Sequence, residues 1–160
     1  RKFGKPSALG IATGMVAGLG TITPASGFVG PAAALLIGLM AGVLCFYAVL
    51  LIKQKLKIDD SLDVFPVHGV GGMLGTLAAG VFASTELGVF SGYGFAFEHY
   101  SMLDQLGVQA LGVLATTVYT ALVTWLILKL VSLFVSLRVS PEEEAQGLDI
   151  ALHEERGYDL

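Results

Sequence analysis

Charge is what this sequence has least of. Asp, Glu, Lys and Arg make up 14% of its 160 residues, against about a quarter in soluble domains, while 54% are hydrophobic and the mean hydropathy is +0.76. That balance excludes an ordinary water-soluble domain and places the chain in a bilayer. Cysteine is nearly absent: Cys45 stands alone, so no internal disulfide can form, and its place inside a hydrophobic run points to packing. The net charge of −4 gathers in the tail beyond Ser140, where seven acids accompany only Arg156, which argues against a nucleic-acid partner. The opening RKFGKPS lacks both an initiator Met and a signal-peptide pattern. A basic loop is an unusual beginning for a membrane chain, so a segment of something longer is expected.

Three intervals carry no charge at all: Pro6 to Ile52 (47 residues), Val64 to Thr85 (22) and Gln105 to Leu128 (24). One spanning helix needs roughly 20 residues. The first interval therefore holds two, divided at TITPASGFVGP (21–31) by Pro24, Gly27, Gly30 and Pro31. The expected architecture is all-α: a polytopic bundle with spans near 7–23, 31–52, 64–83 and 106–136 in a membrane region of 1–139, then a tail over 140–160. An even number of spans puts both ends on one side. Arg1, Lys2, Lys5, Lys53, Lys55, Lys57, Lys129, Arg138 and Arg156 then all fall at or beyond one face, while the loops 24–30 and 84–105 hold no Lys or Arg. By the positive-inside rule the basic face is cytoplasmic, with both termini and the 53–63 loop inside.

Glycine, by contrast, is plentiful, at 21 of 160 residues. Gly14 and Gly18, Gly38 and Gly42, and Gly71 and Gly75 form GxxxG steps, which let helix backbones approach where lipid offers no hydrophobic drive to association. Together they predict a tightly packed bundle. The loop STELGVFSGYGFAFEHYSMLDQ (84–105) sets Phe90, Tyr93, Phe95, Phe97 and Tyr100 among Gly and acids, as an interfacial loop with aromatic anchors would, and His99 there reads as a solvated surface histidine. The last span exceeds a bilayer's thickness, so it should tilt or project. Beyond it, SPEEEAQG predicts a short helix: Ser140 as cap, Pro141 in the first turn, Glu143 completing a capping box and Gly147 ending it.

Against this apolar background, DVFPVHGVGG (63–72) places His68 five residues after Asp63, just inside a span. Asp63 suits a helix cap, and Pro66 is tolerated so early because first-turn amides have no intrahelical partner. Ionisable residues within membranes are costly and mark pathways, so His68 is a candidate pathway residue; the plainer role is an interhelical hydrogen bond. Burial favours the neutral imidazole, which donates from one nitrogen and accepts at the other. Such a group suits a small polar molecule better than a permanent cation, and no acid lies within any span to compensate one. Thr13, Thr21 and Thr23 are the other polar groups of the first span, each able to bond back to its own helix.

Three stretches in order, GLGTITPASGFVGP (18–31), KIDDSLDVFPVHGVGGMLG (57–75) and RVSPEEEAQGLDIALHEERGYD (138–159), resemble the ammonium transporter family of Amt, Mep and Rhesus proteins. The resemblance covers essentially the whole chain and corresponds to the last four of the eleven spans of a bacterial-type member. It implies a homotrimer in the cell (inner or plasma) membrane, C-terminus inside, with a narrow apolar pore in each subunit serving nitrogen uptake. His68 would be the second of the family's twin histidines; Thr13, Thr23 and Val64 match pore or vestibule positions. Glu142, Glu143, Gly147 and Asp149 lie in the segment that couples subunits and approaches a PII-type signalling protein. The first histidine, the phenylalanine gate and the recruitment site belong to spans this chain does not contain. Pro66 stands where Gly is often found.

The resemblance implies a transporter rather than an enzyme, without cofactor or metal, in which ammonium loses its proton outside and ammonia passes the histidines. Neutral passage avoids burying a cation. The alternative is an ammonium-sensing membrane domain coupled to a signalling protein; a third is a helical packing subunit whose histidine and threonines are structural.

Overall fold

Each helix begins and ends where local chemistry requires it. The structure, a computed structural model, describes residues 7–97 and 99–155. Arg1, Lys2, Lys5 and Arg156, used above for topology, and Asp159 lie outside the described residues. Helix α1 (Ala8–Ile22) starts on Ser7, whose hydroxyl accepts from Gly10 N–H at 3.3 Å. It tightens into a 3₁₀ turn at Thr23–Ala25, where Pro24 lacks the N–H to continue, and Gly27, at φ +83°, reverses the chain. Helix α2 (Pro31–Leu50) has proline at its first position and runs on through a wide π-helical turn, Leu51–Lys55, in which Leu56 N–H reaches Leu51 O at 2.9 Å. A second wide turn, Phe65–Gly69, leads into α3 (Val70–Phe82).

Small residues form the core of the three-helix unit. Ala25, Val29, Ala33, Ile37, Ala78 and Ala79 cluster at one end, and Ala17, Cys45 and Val67 at the other. Helices α1 and α3 meet most closely at Thr21. A Cβ on Gly75 would overlap the Thr21 carbonyl oxygen, and one on Gly71 would lie 2.7 Å from Thr21 Oγ1. Only this one of the three expected GxxxG steps draws helices together. Around Gly14, Gly18, Gly38 and Gly42 a Cβ would meet nothing within 4 Å, so no neighbouring backbone is drawn in at those steps.

The segment after α3 is irregular and folds back over the α1–α2 turn. Tyr93 N–H donates to Phe28 O (3.0 Å), while Gly92 and Gly94 N–H donate to Ser84 O and Ala83 O (2.8 Å each). Phe97, His99 and Tyr100 stack loosely there, with His99 exposed.

Helix α4 (Met102–Val131) begins four residues before the expected 106 and ends before 136. Its start is a reciprocal cap: Asp104 N–H donates to Ser101 Oγ at 3.3 Å, and Ser101 N–H to Asp104 Oδ2 at 3.0 Å. Asp104 belongs to the helix although it bounds the charge-free interval. Gly80 lets its first turns approach α3, since a Cβ there would be 3.1 Å from Leu106 Cα. None of the 30 residues of α4 is buried. The fold is all-helical among the described residues, with four helical segments long and apolar enough to cross a membrane: Ala8–Ala25, Pro31–Lys55, Phe65–Phe82 and Met102–Val131.

The tail forms two short helices, α5 (Pro141–Gln146) and α6 (Leu148–His153), hinged at Gly147 with φ +98°. The capping box is complete: Ser140 N–H donates to Glu143 Oε2 (2.9 Å) and Glu143 N–H to Ser140 Oγ (3.2 Å). Arg138 forks onto Glu144 at 2.7 Å.

Gly75→Ala forces Thr21 away and is expected to cost about 1–3 kcal/mol by overpacking, whereas Gly38→Ala stays within about 0.5 kcal/mol. Denaturant midpoints of the two variants in detergent check the contrast. The Ser140 amide and hydroxyl hold the Glu143 carboxyl below its usual range. The depressed value belongs to the folded state, so this stabilisation of α5 is complete above the usual carboxylate range and fades as pH falls through the lowered value. The protection of amides 143–146, corrected for the intrinsic pH dependence of exchange, should fall there, and the fall should be absent in Glu143→Gln, which has no proton to gain.

Candidate functional site

Helix α3 and its leading turn carry the candidate site because one of their faces is left bare. Val64 is 52% exposed, His68 is exposed four residues later, and a Cβ on Gly72, four further on, would meet nothing within 4 Å. Neighbouring Pro66 and Val67 are buried. The column Val64–His68–Gly72 is thus an open, nearly apolar strip with one imidazole in it, and it joins two of the four expected pore residues.

Two acids hold the segment that presents His68. Pro66 has no N–H, and the turn widens so that Val70 N–H reaches Phe65 O, giving the π geometry often found at functional positions. Its free amides are capped by Asp60: Val64 N–H donates to Oδ1 at 2.9 Å and Phe65 N–H to Oδ2 at 2.8 Å. Asp63, the expected cap, is displaced from that role by its left-handed backbone (φ +56°) and instead pairs with Lys53 Nζ at 2.8 Å. The pair ties the wide turn after α2 to the turn before α3, so both ends of the 56–64 loop are fixed. Phe65 packs its ring on Gly69, where a Cβ would be 3.0 Å away.

Helix α1 backs this turn. A Cβ on Gly20 would lie 3.8 Å from His68 Nδ1 and 3.9 Å from Val67 O. The exposed Thr23 donates its hydroxyl to Leu19 O at 2.7 Å. Thr13 donates to Leu9 O at 3.0 Å and lines a different space, a cavity of about 270 Å³ between α1 and α2 that also touches Gly14, Gly42, Cys45, Asp63 and Val67 but not His68. Thr21 is fully buried and its hydroxyl has no hydrogen-bond partner among the described residues. Cys45 is buried, its thiol 4.0 Å from Val67 O.

The tail residues form their own arrangement. Glu143 sits in the capping box, Glu142 is exposed beside it, and Asp149 opens α6 just after Gly147, whose φ of +98° favours glycine there. Among the described residues no His, Cys, Asp and Glu cluster could hold a metal ion.

Sequence reasoning missed Gly20, Gly72 and Asp60. Gly72 shows in the i, i+4 spacing from Val64 and His68. Gly20 stands in no GxxxG step, and its importance comes only from the crossing of α1 and α3. Asp60 lies too far ahead of the helix for a capping-box pattern.

Residues 1–158 match the family model described as Ammonium Transporter Family. A relative from Methanothermobacter thermautotrophicus is 48% identical over 159 residues, covering 99% of this chain and 39% of the relative. An ammonium transporter of Bacillus subtilis is 42% identical, covering 96% of this chain and 37% of its own length. Ammonium transporter Amt1 of Archaeoglobus fulgidus is 44% identical, covering 97% and 38%. The chain therefore spans under two fifths of the length of these relatives.

Asp60→Ala removes two hydrogen bonds from the turn that carries His68 and should cost about 1–2 kcal/mol, the upper range of cap losses. Asp63→Asn, which weakens an ion pair partly open to solvent, should cost under about 1 kcal/mol. Unfolding midpoints in the order wild type, Asp63→Asn, Asp60→Ala check the assignment; the reverse order returns the cap to Asp63.

Proposed function

We propose that this chain, which belongs to the Ammonium Transporter Family, supplies one wall of a path that conducts ammonium or ammonia across a membrane, with His68 on that path. Family and helices together make it a multi-pass membrane protein. The observation that carries the reading is the bare Val64–His68–Gly72 strip: an ionisable residue in a membrane helix, exposed and with no hydrogen-bond partner for its ring among the described residues.

The strip is apolar apart from the imidazole, and that decides which form of the substrate passes. Burying a cation in an apolar membrane interior costs from about 3 to above 10 kcal/mol by different estimates. No acid lies within α1, α2 or the turn and helix of α3 to offset it. Ammonia carries no such penalty and can both donate to and accept from a neutral imidazole. Ammonium therefore gives up its proton before this stretch, ammonia passes His68, and any net charge moved couples transport to the membrane potential at about 2.3 kcal/mol per 100 mV.

A second histidine from outside this chain completes the pair, and Val64, Thr23 and Thr13 line the path or its approaches. Both hydroxyls already donate to their own helix, so toward a substrate they act as acceptors. The protein works as a homotrimer with Lys53, Lys55 and Lys57 on the cytoplasmic side. The acidic α5–α6 tail lies inside and offers Glu142, Glu143, Gly147 and Asp149 to a PII-type signalling protein.

The test is the transient current evoked by an ammonium pulse on proteoliposomes holding the complete protein, beside His68→Ala and beside a potassium pulse. An ammonium-specific current is expected. In the mutant it should fall about tenfold, equivalent to ~1.4 kcal/mol, or admit potassium, with assembly intact. Unchanged current and selectivity in the mutant remove His68 from the path. No current from the wild type, with ammonium still bound, favours electroneutral conduction or sensing.

A further inference from the structure

Helix α1 passes His68 at Gly20, a position with no side chain. Thr21 is locked against α3 by Gly71 and Gly75, which places the preceding residue, Gly20, beside the turn Phe65–Gly69. From there a Cβ would stand 3.8 Å from His68 Nδ1. The Nδ1 edge of the ring therefore faces bare backbone, and neither ring nitrogen has a hydrogen-bond partner among the described residues.

We propose that Gly20 is a positioning and specificity-determining residue for His68: by withholding a hydrogen-bonding side chain, it leaves the tautomer and orientation of the imidazole to be set by groups other than those of α1. This rests on the reading that His68 lines the path, and deepens it. A neutral imidazole protonates one nitrogen, and the partner of the other decides which. A hydroxyl at position 20 would make that decision. At 3.8 Å from Nδ1 the Cβ itself makes an ordinary contact, so a Ser oxygen attached to it reaches hydrogen-bonding distance when its rotamer turns it toward the ring.

The direction of that bond follows from the other hydroxyls of the same helix. Thr13 donates to Leu9 O and Thr23 to Leu19 O, each four residues back. A serine at position 20 would donate likewise to Val16 O and turn its lone pair to the ring. It would then accept from Nδ1–H, holding His68 in the Nδ1–H tautomer with Nε2 as acceptor. Alanine at the same place adds contact but no polar group.

The experiment compares Gly20→Ala and Gly20→Ser in the complete protein, alone and on the His68→Ala background. It reads the ¹⁵N resonances of the His68 ring and the ratio of ammonium to potassium current. Gly20→Ala should keep the ratio within about twofold, since nothing clashes. Gly20→Ser should shift the ring to the Nδ1–H form and change the ratio about threefold or more. On the His68→Ala background, Gly20→Ser and Gly20→Ala should be indistinguishable.

Identical ring resonances in the alanine and serine variants would overturn the proposal, as would a serine effect that survives loss of His68. Failure of the path reading looks different: His68→Ala then transports normally. In that case the specificity role falls with it, while the ring resonances in Gly20→Ser still judge the contact by itself.

Discussion

The contact between α1 and α3 at Thr21 is a contact of backbone with backbone, and the rest of the three-helix unit is arranged around it. In lipid no hydrophobic drive presses helices together, so close packing must supply the attraction, and it does so only where side chains are absent. Gly71 and Gly75 provide that absence opposite the Thr21 hydroxyl and carbonyl. Once the crossing is set there, Val67 is turned inward beside Ala17 and Cys45, and His68, the next residue, is turned outward. Gly20 comes to lie by the imidazole for the same reason.

A second constraint acts on the turns that flank this crossing. Backbone groups at membrane depth must find partners, and the chain departs from α-helical geometry twice near the 56–64 loop. Each departure is answered locally. The turn after α2 keeps its bonds by reaching five residues back, and the turn before α3, interrupted by Pro66, receives two bonds from Asp60. The Lys53–Asp63 pair then joins the two turns. A polar, charge-rich loop therefore does structural work for an apolar strip: it fixes the start, and so the rotation, of the segment bearing His68.

Much of this was legible in the sequence, and the exceptions have physical causes. The Ser140 capping box and the Gly147 hinge depend on residues within one turn of each other, so local pattern suffices. The charge-free interval starts after the helix does, because it measures lipid compatibility, whereas α4 begins at a polar cap just outside it. Asp63 adjoins the helix and looked like its cap, but a left-handed backbone carries it away, which no one-dimensional spacing reveals. Thr13 and Thr23 bond to their own helix as their type allows, while Thr21, of the same type, is buried against α3, its hydroxyl without a hydrogen-bond partner among the described residues.

By itself the sequence determined the apolar segments, their breaks at Pro and Gly, and the helical period that lines up Val64, His68 and Gly72, since these follow from composition and neighbours along the chain. Only the tertiary structure decided which faces are covered. Three GxxxG steps are equivalent as patterns, yet one is spent on the Thr21 crossing and at the other two no described backbone comes close. Burial is a relation between distant segments, so the same pattern takes a different fate according to what packs against it.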